Sequence, residues 1–201
     1  MESYQDKFSS SNNQMFDYET RLKKSKKAIC IITDHLSDTK NLNLLDIGCS
    51  SGIMTNEYSK YFTEIIGIDI DKEAVEYAMK NFKKKNLTFL EGSYDSESIE
   101  MKRFDVITCS HIYEQVDSAE DLFDTIYKLL KPGGICYLVA GNRYKIIEPQ
   151  FKLPFLSFLP RKIANLYLRV TKKQGEYYQK HKSLYNLKKL VRKFEIYDYT
   201  I

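Results

Sequence analysis

Apolar and polar positions follow two rhythms along this chain. Short apolar runs at 43–48, 64–69, 87–91, 104–109 and 134–140 alternate with longer stretches in which apolar residues recur every three or four positions. The runs predict strands, and the spaced stretches predict helices at 53–62, 72–85, 95–101 and 118–130. An earlier helix is expected over 16–36, with Ala28, Ile31, Ile32 and Leu36 facing inward. Regular alternation of this kind builds a mainly parallel sheet covered by helices on both faces, an α/β doubly wound fold. Pro132-Gly133-Gly134 is expected to end the last of these helices, because proline cannot continue it and glycine tolerates positive φ.

Beyond residue 141 the rhythm breaks. Ile146 to Pro160 is apolar and aromatic but interrupted by Pro149, Pro154 and Pro160, so it cannot form one regular helix. It reads as an insertion after the fifth strand that covers the mouth of the site, with Phe151, Phe155 and Phe158 closing over it as a lid. Helical spacing resumes over 163–170 and 184–194, and a terminal strand is expected within 195–201. The polar residues 1–15 read as a mobile arm. A single domain of 201 residues follows, with a ligand-binding core over 16–141 and a basic, aromatic segment over 142–194.

The turn after the first strand carries the most chemistry. Leu44-Leu45-Asp46-Ile47-Gly48-Cys49-Ser50-Ser51-Gly52 is a buried strand breaking into small residues, and the following strand ends in Asp69. Small residues let backbone amides approach a ligand, and an acid at the tip of the second strand can accept both hydroxyls of a ribose. Asp71 is better placed to cap the next helix, which leaves Asp69 for the sugar. The Gly-x-Gly-x-x-Gly fingerprint of dinucleotide binding is missing. The acid at Asp46 would repel a pyrophosphate and attract an ammonium group.

With Asp46, Gly48, Ser50 and Gly52 in this spacing, the segment resembles the first motif of the class I S-adenosylmethionine-dependent methyltransferases, usually Asp/Glu-x-Gly-x-Gly-x-Gly. The likeness extends over about 40–150. Phe89 to Tyr94 resembles the third strand and the adenine loop, Phe104 to Ser110 the fourth strand, and Lys131 to Leu138 the turn into the fifth. The resemblance implies S-adenosyl-L-methionine as cofactor, contacted by Asp46, Gly48, Ser50, Gly52, Asp69, Ile70, Ser93, Tyr94 and Ser110. Ser50 stands where the family commonly has its middle glycine, and Ser93 where it often has an acid for the adenine amino group. Many small-molecule members have Glu-His where this chain has Glu114-Gln115. His111 is then the nearest titratable side chain and the candidate general base, since the ordinary imidazole pKa lies near neutrality.

Charge and cysteines narrow the setting. The net charge of +4 is uneven: Arg143 to Phe194 holds fourteen Lys and Arg against Glu148 and Glu176. This basic stretch admits an anionic membrane surface or, less favoured, nucleic acid. The leading expectation is methyl transfer to an O or N atom of a small-molecule, sugar or isoprenoid-linked acceptor. The alternatives are an RNA methyltransferase and a non-catalytic protein that only binds the cofactor. Four scattered cysteines and the lack of a leader or long apolar run indicate a cytoplasmic chain. His35 and His181 read as solvated, and three scattered histidines give no metal site. The chain ends before the family's last strand could form, which reads as a truncation.

Overall fold

The computed structural model describes residues 13–36, 38–148, 150–173 and 175–200. A 3-10 turn at Asn13–Phe16 leads into α1 (Tyr18–His35), followed by β1 (Asn43–Ile47), α2 (Ile53–Tyr58), β2 (Glu64–Asp69) and α3 (Lys72–Asn81). Next come β3 (Leu87–Glu91), α4 (Glu97–Glu100), β4 (Phe104–Ser110), α5 (Ala119–Leu129) and β5 (Leu130–Val139). The strands form one sheet in the order β3-β2-β1-β4-β5, every neighbour parallel. Strand order reverses between β1 and β4, and open α/β sheets bind ligands beyond the carboxyl ends of strands at such a point.

Each strand divides its apolar residues between two cores. Leu44, Ile65, Leu87, Phe89 and Val106 pack with Ala28, Ile29 and Ile32 of α1 and with Val75 and Ala78 of α3. Their neighbours Leu45, Ile66 and Ile107 face the other way, onto Leu122, Phe123, Ile126 and Leu129 of α5. Two-sided burial is why these strands read as continuous apolar runs. Helix starts follow local chemistry: the Asp17, Asp71 and Ser118 side chains accept from Thr20, Ala74 and Asp121 N–H and satisfy otherwise orphaned donors.

Several expectations are corrected. Pro132-Gly133-Gly134 does not end a helix; α5 has already stopped at Leu129, and the triplet lies in β5 where the register with β4 shifts after Phe104. Residues 1–12 of the expected arm lie outside the described residues, but Met15 is buried and its carbonyl accepts the Ser51 hydroxyl at 2.6 Å. Met15 is therefore held against the turn after β1. No strand forms over 195–200; this stretch runs to α1, where the Tyr199 hydroxyl bonds Asp34 and His35.

The segment after β5 builds its own small core. A two-residue ladder pairs β6 (Ile147–Glu148) with β7 (Leu153–Pro154), and α6 (Arg161–Val170) follows a 3-10 turn at Leu156–Phe158. Phe151, Leu153, Leu156, Ala164, Leu168 and Tyr177 cluster together, separate from the sheet's two cores. Finally α7 (Leu184–Leu190) places Leu187 and Leu190 against the α5 side of the sheet. Among the described residues no helix is long and apolar enough to cross a membrane.

Candidate active site

A groove-like cleft of about 1960 Å³ runs from the carboxyl ends of the strands along the outer edge of β5 to the 193–200 stretch. One end is set by the turn after β1. Gly48 donates to the Ile68 carbonyl at 2.8 Å, and its φ of 77° is a left-handed conformation that favours glycine. A Cβ there would overlap the Ile112 side chain.

Asp69 locks this turn to the tip of β2. Its Oδ2 accepts Ser50 N–H at 2.7 Å and its Oδ1 accepts Asp71 N–H at 2.9 Å. Each carboxylate oxygen has a second lone pair, so both remain able to accept a ribose hydroxyl. Burial raises the Asp69 carboxyl above its ordinary value, while the two backbone N–H groups pull it down. Ser50 holds φ at 50°, an uncommon conformation for a residue with a Cβ. Gly48, Ser50, Asp69, Ile70, Ser93, Tyr94 and Ser110 all line the cleft.

Asp46 and Gly52 do not line it, and both are buried. Asp46 lies on the strand face shared with Leu44, inside the core, where it accepts Thr55 Oγ1 and Thr108 Oγ1, each at 2.6 Å. Burial pushes its carboxyl up to about 6 despite these hydroxyls. It ties β1 to β4 and α2. Gly52 caps α2 at φ 73°, and a Cβ there would strike Phe89 and Ala78, so its smallness serves packing.

Arg21, which sequence reasoning missed, enters the same end from α1. It lines the cleft, and its Nε is buried with no hydrogen-bond partner among the described residues. Burial depresses its pKa, opposed by the neighbouring Asp46 and Asp69 carboxylates. A half-buried guanidinium with an unused donor is a ready-made carboxylate site. The signal was its spacing: Arg21 lies four, seven and eleven residues before Ser25, Ala28 and Ile32, which are all buried. The residues fit an S-adenosylmethionine molecule by its chemistry, with an acid for the ribose, a glycine turn for close approach and a cation for the amino-acid carboxylate.

The loop after β4 holds titratable groups. His111 follows β4 with φ 61° and donates its N–H to the Val139 carbonyl at 2.8 Å. Its Nδ1 lies 3.0 Å from Oε1 of Glu114, whose side chain is 1% exposed. In a pair of neutral imidazole and carboxylate, the carboxylate only accepts, so Nδ1 would donate and Nε2 would be the accepting nitrogen. Gln115, where the family commonly has histidine, donates Nε2–H to the His111 carbonyl at 2.6 Å and so helps hold the backbone.

His181 is not solvated, contrary to expectation. It lines the cleft beside Gly141, where a Cβ would overlap its ring and lie 3.1 Å from Glu114 Oε1. Its Nε2 meets Gln179 Oε1 at 2.6 Å and its ring also hydrogen-bonds the Gly141 backbone, while Glu114 Oε2 is buried with no partner among the described residues. Burial lowers the His181 pKa. Long-range bonds put it there: Lys180 donates its N–H to the Glu114 carbonyl, and Lys182 donates its N–H to the Tyr113 hydroxyl, which itself donates to the Gly141 carbonyl.

The lid expectation is corrected. Pro149 lies outside the described residues, and none of Phe151, Phe155 and Phe158 lines the cleft. Phe151 has apolar partners of its own in the 151–177 cluster, Phe158 packs on Tyr144 and Phe155, and Phe155 is 55% exposed. Glu148 and Gln150 are what this segment contributes to the cleft wall.

Sheet order, glycine turn and acid-tipped β2 together define a Rossmann-like methyltransferase fold. Residues 45–138, which carry the glycine turn and the acid-tipped β2, match the family described as a methyltransferase domain. S-adenosyl-L-methionine is the methyl donor typical of that family. Among curated relatives, the ubiquinone biosynthesis O-methyltransferase of Proteus mirabilis is 26% identical over 147 residues, 70% of this chain and 60% of its own length. The enzyme of that name from Pelagibacter ubique is 34% identical over 108 residues, 52% of this chain and 44% of its own. The chain thus spans about half the length of these relatives. Two solved structures share the fold. A chain from the complex of the Haloferax volcanii Trm112 methyltransferase activator with its putative methyltransferase has TM-score 0.67 at 17% identity, covering 95% of this chain and 75% of that one. The S-adenosylmethionine-dependent methyltransferase from Mesorhizobium loti has TM-score 0.62 at 16% identity, covering 82% and 78%.

Proposed function

We propose that the chain binds S-adenosylmethionine at the β1–β2 end of the cleft and methylates a hydroxyl of a small-molecule acceptor held against His111. The observation that carries this reading is the His111–Glu114 pair, a base oriented by a buried carboxylate, in the same cleft as Asp69 and Arg21. The donor, when bound, supplies an electrophilic methyl group. Asp69 would hold its ribose hydroxyls and Arg21 its carboxylate.

What remains for the protein is orientation and one proton. An amine acceptor can attack through its own lone pair, whereas an alcohol or phenol gains from losing its proton as it attacks. Nε2 of His111 can hold that proton while Glu114 stabilises the resulting imidazolium. Glu114 Oε2, without a partner among the described residues, is the polar atom that an acceptor molecule with a second donor group would satisfy. Relatives named for O-methylation in ubiquinone biosynthesis support a hydroxyl target and an isoprenoid-linked acceptor class, which would bring the chain to a membrane surface.

Calorimetry with S-adenosylhomocysteine tests the cofactor half. Binding is expected, and Asp69→Ala should weaken it by about 2–3 kcal/mol, the size of charged hydrogen bonds to two hydroxyls. Unchanged affinity in that variant, or preference for NAD, would overturn the assignment. Methyl transfer from labelled donor into a panel of phenols and catechols then separates an enzyme from a protein that only binds the cofactor.

A further inference from the structure

The 151–177 cluster uses only one side of α6. Ala164 and Leu168 face its core, while Ile163, Leu166 and Val170, spaced three and four apart on the opposite stripe, are 52%, 60% and 73% exposed. Phe155 and Pro154 adjoin them along a shallow apolar groove. Ile146 and Ile147, also exposed, extend the surface, because Ile147 pairs with Pro154 and the Ile146 carbonyl accepts Phe155 N–H. Soluble surfaces scatter single apolar residues, whereas a contiguous patch of this kind needs an occupant.

Its rim says which. Lys162, Arg169, Lys172 and Lys173 are exposed, and none makes an ion pair among the described residues. Arg161 is the exception, pairing with Glu176 at 3.9 Å and lying over the Tyr178 ring. Lys162 and Arg169 sit one turn-width from the apolar stripe on the same helix. Their long side chains can lie along apolar surface while the charges reach a polar boundary. Apolar residues in one stripe with cations beside them is the pattern of a helix lying in the plane of an anionic membrane interface.

Other occupants fit less well. A two-fold pairing of this face with a second copy would set these unpaired cations against themselves. Nucleic acid wants rings for stacking, and Ile163, Leu166 and Val170 offer none.

We propose that the exposed face of α6, with Phe155, docks the protein on an anionic lipid bilayer. The contact inserts Phe155, Ile163, Leu166 and Val170 at the headgroup boundary, and the four cations meet acidic headgroups. It does not involve the cleft residues, so it stands or falls separately from methyl transfer.

Flotation of the full chain with phosphatidylcholine vesicles, with and without phosphatidylglycerol, tests it. Binding is expected only with the anionic lipid, and high salt should weaken it. Ile163→Ser/Leu166→Ser should reduce binding at least tenfold, and so should Lys162→Glu/Arg169→Glu. Both pairs are exposed, and unchanged S-adenosylhomocysteine affinity reports that each variant is folded. The proposal is overturned by absence of flotation, by equal binding to neutral vesicles, or by unchanged binding of both double variants. A dimer dispersed by Ile163→Ser/Leu166→Ser without vesicle binding would assign the face to a second copy instead.

Discussion

Two parts of this molecule bury apolar residues in different ways. The parallel sheet hides both faces of every central strand, and its two cores draw on almost every element up to Val139. The 151–177 cluster holds six buried residues and leaves half of its helix facing outward. A layer covered on both sides fixes residue positions tightly, which suits the sub-ångström demands of a reacting site. One covered on a single side can hold a wall and still offer a surface to a partner. The two parts meet at Glu114, where the backbone of Lys180 and the ring of His181 come up against the loop after β4.

That junction is where the largest effect is expected. His111→Gln should lower kcat for a hydroxyl acceptor about 10³-fold, within the ordinary contribution of a positioned base, and leave S-adenosylhomocysteine affinity unchanged. Glu114→Gln keeps the side chain's shape and should lose part of that factor by loosening the imidazole. Normal turnover in both would mean that positioning alone suffices, and the sheet would need nothing from the segment packed against it.

Asp46 tests the interior of the sheet part. Its folded pKa of about 6 lies above the unfolded value near 3.8, so between these pH values the folded protein holds a proton that the unfolded chain has released. Stability should therefore fall as pH rises from 4 to 7, by an amount of order 3 kcal/mol for two pKa units. Asp46→Asn should remove that slope. Denaturant titration at several pH values gives the difference directly; parallel slopes for the two proteins would show that the carboxylate titrates normally.

How independent the smaller part is can be read from Leu156, fully buried in its core. Leu156→Ala should cost about 2–3 kcal/mol, the low end for a buried leucine because the small cluster can relax around the cavity. Hydrogen exchange should then rise across 146–178 and hardly change in β1 to β4, with cofactor affinity preserved. A uniform loss of protection, together with lost cofactor binding, would show one cooperative unit.

What the sequence disclosed follows the same division. Apolar runs set out β1 to β4 almost to the residue, because β1, β2 and β4 are buried on both faces along most of their length. Asp69 was visible since a strand fixes where its last residue stands. Asp46 was equally visible, but its role was not: strand alternation turns it into the core, onto two threonines distant in sequence. Arg21 was hidden by its charge, which reads as surface even on an inward stripe. His181 was hidden because 179–182 has no periodicity and is held by Tyr113 and Glu114 from across the chain. The phenylalanines misled because their partners, Leu153 through Tyr177, are set by a local fold that spacing alone does not reveal. The expected strand near 196–201 carries β-forming residues, yet Tyr197 and Tyr199 pack on His35 at the end of α1.

The smallest expected effect concerns Arg21, and it sharpens what the first helix contributes to the sheet's site. If the guanidinium receives the amino-acid carboxylate of the donor, Arg21→Ala should weaken S-adenosylhomocysteine binding by about 1.5–2 kcal/mol, the value of a charged hydrogen bond in a half-buried place. The same substitution should leave 5′-methylthioadenosine, which has no carboxylate, almost unaffected. Measuring both ligands on both proteins isolates the one interaction from any general loosening of α1, because loosening would weaken the two alike. Equal losses would make Arg21 a counter-charge to Asp46 and Asp69 only. A selective loss would extend the cofactor site from the strand ends to a helix that precedes the whole motif.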